Sequence, residues 1–400
     1  MTQCAARSQR VYRMRSFQHV DPQLRIFCGQ NCLNSLGSEL ARLGAQRAVI
    51  FCGGTIGGGV LLDLVRDAMG KRCAGVFPRV RAQAPRLSVE EAAAELRRLN
   101  ADAVVAVGGG SAAVAARAAS IIVAEGADLD VLATSRGADG RMRSPRLEAP
   151  KLSQIIIPTT PTTAIVKAGT AISDPALARR WAMFDPKTRS QAIFLHPELL
   201  MSSPADLVIS AGLGTLSLAI EGLISCNGGD PMSDAALMHS TRLLVDGLPR
   251  LRIEDGADLR AQLVMAAILC GRGTDHTGAG VATVLAHAIG ANFQIDNNVV
   301  KAVLLPIVLK FNEGHAQAGL AKIITALGLV GGEAQINVVN AALVRTFRAV
   351  EVPKRLRDFG LLENALGAIA ERALSDWFLN DNPRPVTTAD ELVGILTAAW

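Results

Sequence analysis

The sequence has few aromatic and few charged residues. Aromatic side chains make up 4% of the 400 residues, with a single tyrosine, and charged side chains make up 19%. Hydrophobic residues still account for 50%, which excludes an intrinsically disordered chain, because such chains lack the apolar surface that offsets the entropy of ordering. Apolar runs such as residues 103–107 and 155–157 are far shorter than the roughly 20 residues of a membrane-spanning helix. We therefore expect a globular protein with a large core and no membrane association.

The sequence also lacks a strong excess of either charge. It carries 41 basic and 36 acidic residues, for a net charge of +5, and four arginines lie within the first fifteen residues. The rest of the chain is close to neutral, which argues against a nucleic-acid partner. Residues 1–23 are basic and have no apolar segment, so they predict a disordered extension, with a transit peptide as the alternative, and no secretion signal. Seven scattered cysteines then indicate reduced thiols in the cytoplasm.

Spacings typical of metal sites are missing from the sequence. The cysteines form no CxxC pair, and the six histidines form neither an HxxxH nor an HExxH arrangement. Those arrangements would place two imidazoles on one face of a helix, where they can share an ion. The residues by themselves therefore predict no metal.

The first half of the chain alternates short apolar runs with helical patterns. The runs at residues 47–52, 103–107, 153–157 and 191–195 are typical of buried parallel strands. Between the first two runs, Ser88 precedes apolar residues at helical spacing and is the expected N-cap of an amphipathic helix.

This alternation predicts an α/β domain with a doubly wound, mostly parallel sheet over residues 24–196. From Pro197 onward the sequence is rich in alanine and leucine at helical spacing. We therefore predict a second, all-helical domain over residues 197–400. Its clearest helical stretches are residues 205–225, 234–248, 259–270, 278–289 and 299–311.

Glycines at the ends of the predicted strands point to a phosphate-binding edge. Three glycines and a serine (Gly108, Gly109, Gly110 and Ser111) separate a strand from a helix, where bare backbone can approach a phosphate and the helix N-terminus offers free N–H groups. A tight turn is the alternative. Further candidates follow neighbouring runs, and they are Thr159, Thr160, Gly53 and Gly54. Ligands of open α/β sheets bind at the carboxyl ends of the strands, so these residues are predicted to bind a cofactor.

Several longer motifs follow the order of one known family. They are AVVAVGGGS from Ala103, IIPTT from Ile156, LAHAIGANF from Leu285 and LLPIVLKFN from Leu304. On these motifs the chain resembles the iron-containing alcohol dehydrogenase superfamily from Arg25 to its end. Within it, the chain is most similar to the maleylacetate reductase branch, whose spacing between IPTT and the following SDP segment it shares.

The resemblance implies a nucleotide-binding α/β domain, an all-helical domain and a catalytic cleft between them. It also implies NAD or NADP as the cofactor, hydride transfer to or from a carbonyl or alcohol, and a homodimer. Most members of the superfamily use a divalent metal to polarise the substrate oxygen.

The positions that hold this metal in the family are substituted in the present sequence. They are Gly214, Leu218, Thr283 and Asn297. Glycine and leucine have no ligand atom in their side chains, and threonine and asparagine offer only neutral, weak oxygens, so we expect no metal. Lys167 replaces a threonine of the family and is either a ligand for an acidic substrate or simply exposed.

The leading hypothesis is a metal-independent NAD(P)-dependent reductase of the maleylacetate reductase type, acting on a small molecule with an activated carbonyl, such as a keto acid. His287, which the resemblance places near nicotinamide and substrate, is the candidate proton relay, and Thr283 and Asn297 would polarise the substrate oxygen. His276, next to Asp275, is a further catalytic candidate. The alternative is a non-redox enzyme, namely a lyase, hydrolase or cyclase, or a ligand-binding protein.

Overall fold

The computed structural model describes residues 16–137, 142–174, 179–293, 295–330, 332 and 334–400; the four arginines of the basic extension lie outside these ranges. The strands are β1 (Arg25–Cys28), β2 (Ala48–Phe51), β3 (Cys73–Phe77), β4 (Ala103–Gly108), β5 (Ser135–Arg136), β6 (Met142–Arg143), β7 (Ser153–Pro158), β8 (Gly169–Asp174), β9 (Arg179–Phe184) and β10 (Ala192–Leu195). The helices of the first half are α1 (Leu36–Arg42), α2 (Gly54–Gly57), α3 (Val60–Met69), α4 (Arg86–Arg98), α5 (Gly110–Glu125) and α6 (Leu129–Leu132). The second half contains α7 (Pro197–Met201), α8 (Ala205–Ile224), α9 (Pro231–Arg250), α10 (Ala257–Thr277), α11 (Val281–Phe293), α12 (Asn297–Phe311), α13 (Gln317–Ala326), α14 (Gln335–Ala349), α15 (Leu366–Ala373) and α16 (Ala389–Ala399).

A six-stranded parallel sheet organises the first half, in the order β1-β10-β7-β4-β2-β3. Alternate residues of β4 face opposite layers, because side chains along a strand point to opposite sides of the sheet. Val104 and Ala106 pack against the layer of α4 and α5, whereas Val105 and Val107 pack against the layer of α1 and α3. The predicted doubly wound α/β sheet is confirmed.

The second half is built from helices packed around α8. Each predicted helical stretch corresponds to a helix whose ends differ from the expected ends by a few residues. Helix α8 is long and apolar enough to cross a membrane, with a mean hydropathy of 1.8. However, 89% of its most apolar 18-residue stretch is buried inside the protein. Helix α8 ends one residue before the predicted stretch does, and it is a core helix.

Two local expectations were wrong. Helix α4 begins at Arg86 with Pro85 as its N-cap, and the Ser88 hydroxyl inside the first turn donates to the carbonyl oxygen of Arg79. The antiparallel hairpin of β8 and β9 was not anticipated. Its strands carry mixed polar and apolar residues, so their sequence shows no clear period of two.

Candidate active site

The glycine-rich segments meet at the carboxyl edge of three neighbouring strands. The chain leaves β2 at Gly53 and Gly54, β4 at Gly108 to Ser111, and β7 at Thr159 and Thr160. Gly108 has a φ of +140°, a backbone conformation that favours glycine. The proximity predicted for these residues is therefore present, and their role in cofactor binding remains a prediction.

The N-terminus of α5 has the features of a phosphate cradle. A Cβ on Gly109 would lie 3.0 Å from Oγ1 of Thr160, and one on Gly110 would lie 3.2 Å from Oγ1 of Thr162, so the backbone approaches the threonines more closely than side chains permit. Within the described part of the chain no side chain caps this 16-residue helix, whose N-cap is Gly109, so its first N–H groups are available to an anion. The arrangement fits the pyrophosphate of a dinucleotide.

Two of the predicted cofactor hydroxyls are engaged within the protein. Oγ of Ser111 accepts the N–H of Gln83 at 3.1 Å, and Oγ1 of Thr159 accepts a hydrogen bond from Ser203 at 2.8 Å. These contacts fix the loops around the glycines, so the backbone of the cradle is the better anion donor.

A second hydrogen bond, in addition to that from Ser203, joins this edge to the helical half. Oγ1 of Thr215 on α8 donates to the carbonyl oxygen of Pro161 at 2.6 Å, directly after the Thr159–Thr160 pair. Thr215 follows Gly214, one of the family's metal positions, in the sequence. This contact places Gly214 close to the cofactor edge, as expected if the two line the cleft that the family resemblance implies.

The side chains at the substituted positions do not form a metal site. A Cβ on Gly214 would lie 2.1 Å from Oδ1 of Asn298, so an asparagine fills the space of a ligand there. The Thr283 hydroxyl donates to Oε2 of Glu221 at 2.5 Å, and Asn297 packs its amide against Gly290, where a Cβ would lie 1.4 Å from Oδ1. The available donors are too few and too weakly basic for Fe²⁺ or Zn²⁺.

A lysine contributes positive charge beside these positions. Lys301 lies one turn beyond Asn297 on α12 and is only 9% exposed. Within the ranges that the structure describes, its ammonium has no hydrogen-bond or ion-pair partner. Burial lowers the pKa of Lys301, and the charge of the buried Glu221 carboxyl opposes that effect. A buried ammonium repels a divalent cation, which adds to the case against a metal here.

Glu221 is the buried acidic residue whose charge acts on Lys301. It is 1% exposed and accepts both the backbone N–H and the hydroxyl of Thr283. Burial raises its pKa, while the hydrogen bonds from Thr283 oppose the rise. Residues 214, 218 and 221 lie on one face of α8, so their spacing alone predicts that Glu221 lies near the substituted metal positions, a residue that the sequence analysis missed.

His287 forms a pair with a carboxylate that is distant in sequence. Nδ1 of His287 lies 3.0 Å from Oδ2 of Asp376, and the two side chains are 22% and 14% exposed. Burial lowers the pKa of His287 to about 4, despite the opposing hydrogen bond to Asp376. The pKa of Asp376 is also lowered: burial raises it, but the hydrogen bonds from His287 and the Phe378 N–H, together with the charges of His287 and Arg180, outweigh burial. His287 is therefore neutral at pH 7, and its Nδ1 proton points at Asp376.

His287 should make stability depend on pH. Its folded pKa of about 4 lies below the unfolded value of 6.5, so its contribution is complete above pH 6.5 and is lost as the pH falls from 6.5 to 4. The free energy of unfolding should fall by on the order of 2 kcal/mol over this window. His287→Gln keeps a donor for Asp376 but cannot titrate, so urea denaturation at pH 7.0 and 4.5 should show a smaller loss for the variant. Equal losses for the two proteins would contradict this prediction.

Two other candidates lie in contacts that the sequence did not reveal. Lys167 donates to Oδ1 of Asp275 and to the Thr274 hydroxyl, both at 2.9 Å, and Arg189 binds the second oxygen of Asp275 at 2.7 Å. Lys167 is thus neither free for an acidic substrate nor simply exposed. Asp275 pairs with Lys167 and Arg189, whereas the neighbouring His276 contacts the carbonyl oxygen of Val20 near the N-terminus.

His276 also belongs to a group that could hold a metal. The ligand atoms of His19, Asp230 and His276 all lie within 4.8 Å of one another. None of the three is a metal position of the family. This group does not support the expectation that the chain binds no metal. The argument against a metal applies only to the substituted family positions.

Comparisons with known proteins agree with the motifs. The profile described as iron-containing alcohol dehydrogenase matches residues 22–197, and the C-terminal profile of the same family matches residues 208–400. Lactaldehyde reductase of Escherichia coli K12 is 28% identical over 384 residues, covering 93% of this chain and 97% of that protein. NAD-dependent methanol dehydrogenase of Bacillus methanolicus is 26% identical over 373 residues, covering 90% and 94%. Maleylacetate reductase from Agrobacterium tumefaciens has a solved structure with a TM-score of 0.79 at 22% identity, covering 97% and 99%.

These relatives include alcohol dehydrogenases as well as reductases, so the maleylacetate reductase branch stays a prediction. The two profiles together span both halves of the molecule, and the parallel sheet with its helical second half has the architecture of the solved structures. The chain belongs to the iron-containing alcohol dehydrogenase family.

Proposed function

We propose that this protein is an NAD(P)H-dependent reductase of an activated carbonyl, such as that of a keto acid, and that it works without a metal in the cleft. The observation that carries the proposal is Lys301, a buried ammonium beside the substituted metal positions that has no hydrogen-bond or ion-pair partner among the residues that the structure describes. A maleylacetate reductase shares the fold, which is consistent with a keto-acid substrate.

The cofactor part of the proposal rests on the cradle at the start of α5. Its close-packed glycines and uncapped N–H groups suit a pyrophosphate, and one relative is NAD-dependent by name. A reduced nicotinamide, when bound, supplies the hydride for the carbonyl carbon. The chain contributes the binding, the orientation and the charge around the substrate oxygen.

Lys301 would stabilise the negative charge that develops on the substrate oxygen. Charged donors act strongly in a site from which water is excluded, and Lys301 is largely buried. Without a Lewis acid the substrate needs an electrophilic carbonyl, because the metal would otherwise supply several kcal/mol of charge stabilisation. A keto group next to a carboxylate meets this requirement.

His287 would move the proton. With Nδ1–H directed at Asp376, its Nε2 has a free lone pair and can accept the proton of an alcohol when the reaction runs toward oxidation. In the direction of reduction the same nitrogen takes a proton from solvent and passes it to the oxygen.

The cradle can be tested by nicotinamide binding. In Gly109→Val the added side chain meets Thr160, so the dissociation constants of NADH and NADPH should rise at least about tenfold, which corresponds to about 1.4 kcal/mol. Gly367→Val is the matched control, because no atom lies within 4 Å of its new Cβ. Nicotinamide fluorescence measures both. If the unaltered protein binds neither cofactor at millimolar concentration, the proposal fails and the non-redox alternative is favoured.

A further inference from the structure

The N-terminal segment (residues 16–24) has neither helix nor strand, yet it is tied to α10. Arg272 on α10 forms an ion pair with Asp21 at 2.9 Å and donates to the carbonyl oxygen of Pro22 at 2.7 Å. Nε2 of His276, one turn further along, lies 3.3 Å from the carbonyl oxygen of Val20. These contacts place His19 against the helical half.

His19 faces two side chains that bind metals in many proteins. Its Nδ1 lies 2.6 Å from Oδ2 of Asp230, and its ring stacks on that of His276 with centroids 4.2 Å apart. One ligand atom from each of the three lies within 4.8 Å of the others. Ligands of a tetrahedral zinc ion bind at about 2.0–2.1 Å and lie about 3.3 Å from one another, so small side-chain rotations would complete the geometry.

The carboxylate of this group is held in place by hydrogen bonds. Asp230 is 6% exposed and is the N-cap of α9, with Oδ1 accepting the Met232 N–H at 2.9 Å and Oδ2 accepting the Ser233 hydroxyl at 2.7 Å. Hydrogen bonds to a ligating carboxylate are a general feature of metal sites.

We propose that His19, Asp230 and His276 bind one zinc ion, which fastens the N-terminal segment to the start of α9 and the end of α10. Two imidazoles and one carboxylate are ligands that zinc prefers, and water would fill the fourth position. The substituted positions of the cleft contribute no ligand to this site. The ion is structural, so the inference is independent of the proposed reductase activity.

The site is tested by zinc titration of the full chain after chelator treatment, followed by calorimetry and by elemental analysis of the dialysed protein. The expected result is one zinc per chain and a rise in Tm on binding. His276→Ala and Asp230→Asn should each weaken binding by more than about 100-fold, because a lost ligand costs more than the ~10–100-fold of a lost outer hydrogen-bond partner. Asparagine at 230 still caps α9, so a folded variant without zinc binding is expected.

Cobalt gives a second readout, which reports metal coordination directly and would not change if the three side chains only stabilised the fold. Substitution by Co²⁺ should produce the absorption of a tetrahedral site in the unaltered protein and in His239→Ala, a control at an exposed histidine of α9. The absorption should be absent in Asp230→Asn. Zinc binding that survives both ligand substitutions, or that His239→Ala removes equally, would overturn the proposal.

Discussion

Replacing Lys301 with methionine should lower kcat for carbonyl reduction by about 100- to 1000-fold, the range seen when one donor to a developing oxyanion is removed. Methionine keeps the length of the side chain and removes its charge, and Lys301 is a buried cation beside the substituted metal positions. The dissociation constants of NADH and NADPH should stay within about twofold, because the cradle at α5 is unchanged. Steady-state kinetics and nicotinamide fluorescence provide the two measurements.

The variant should fold, since exchanging a buried charge for an apolar side chain of similar volume is often neutral or stabilising. Lys310→Met is the control, because Lys310 lies on the same helix with its side chain exposed. A kcat that is the same in Lys301→Met and Lys310→Met would remove Lys301 from the mechanism.

Arg117→Ala should lower the free energy of unfolding by about 3–5 kcal/mol. Arg117 is fully buried and donates to the carbonyl oxygens of Gly169 and Ala164, both at 2.7 Å. Burial lowers its pKa to about 9, so its charge is costly to bury, but removing the whole side chain leaves a cavity and two unpaired carbonyls. Both carbonyls belong to the segment that follows β7, which packs against the glycine cradle.

Urea denaturation measures this loss. The matched control is Arg66→Ala, whose side chain is 50% exposed and pairs with Asp63 at 3.3 Å, and its loss should stay below about 1 kcal/mol. A loss for Arg117→Ala as small as that of the control would show that the two carbonyls find other partners.

Much of the fold could be predicted because it follows local periodicity. Apolar runs with glycine at their ends became the central strands, and helical spacing located the helices from α8 onward. The errors arose where tertiary contacts override local patterns. Ser88 binds the Arg79 carbonyl and does not cap a helix, and the mixed polarity of β8 and β9 concealed their pairing.

The site was predictable only in part, because its key charges meet through long-range packing. Asp376 reaches His287 across 89 positions, and no local pattern links them. His19 likewise meets Asp230 across 211 positions. Lys301 could have been identified from the sequence, because it is a lysine one helical turn after Asn297 in a mostly apolar helix. Residues four apart lie on the same face of a helix, so this spacing places Lys301 beside a substituted metal position.

The central claim is that the cleft reduces a carbonyl without a metal ion. Its most direct test is NADH and NADPH oxidation with a panel of keto acids, using His276→Ala that has been stripped of metal and assayed in chelator. This variant also removes the second location where an ion could bind. The account predicts turnover in chelator that changes by less than about twofold when Fe²⁺ or Zn²⁺ is added in excess. Turnover that is absent in chelator and appears only with one of these ions would contradict it.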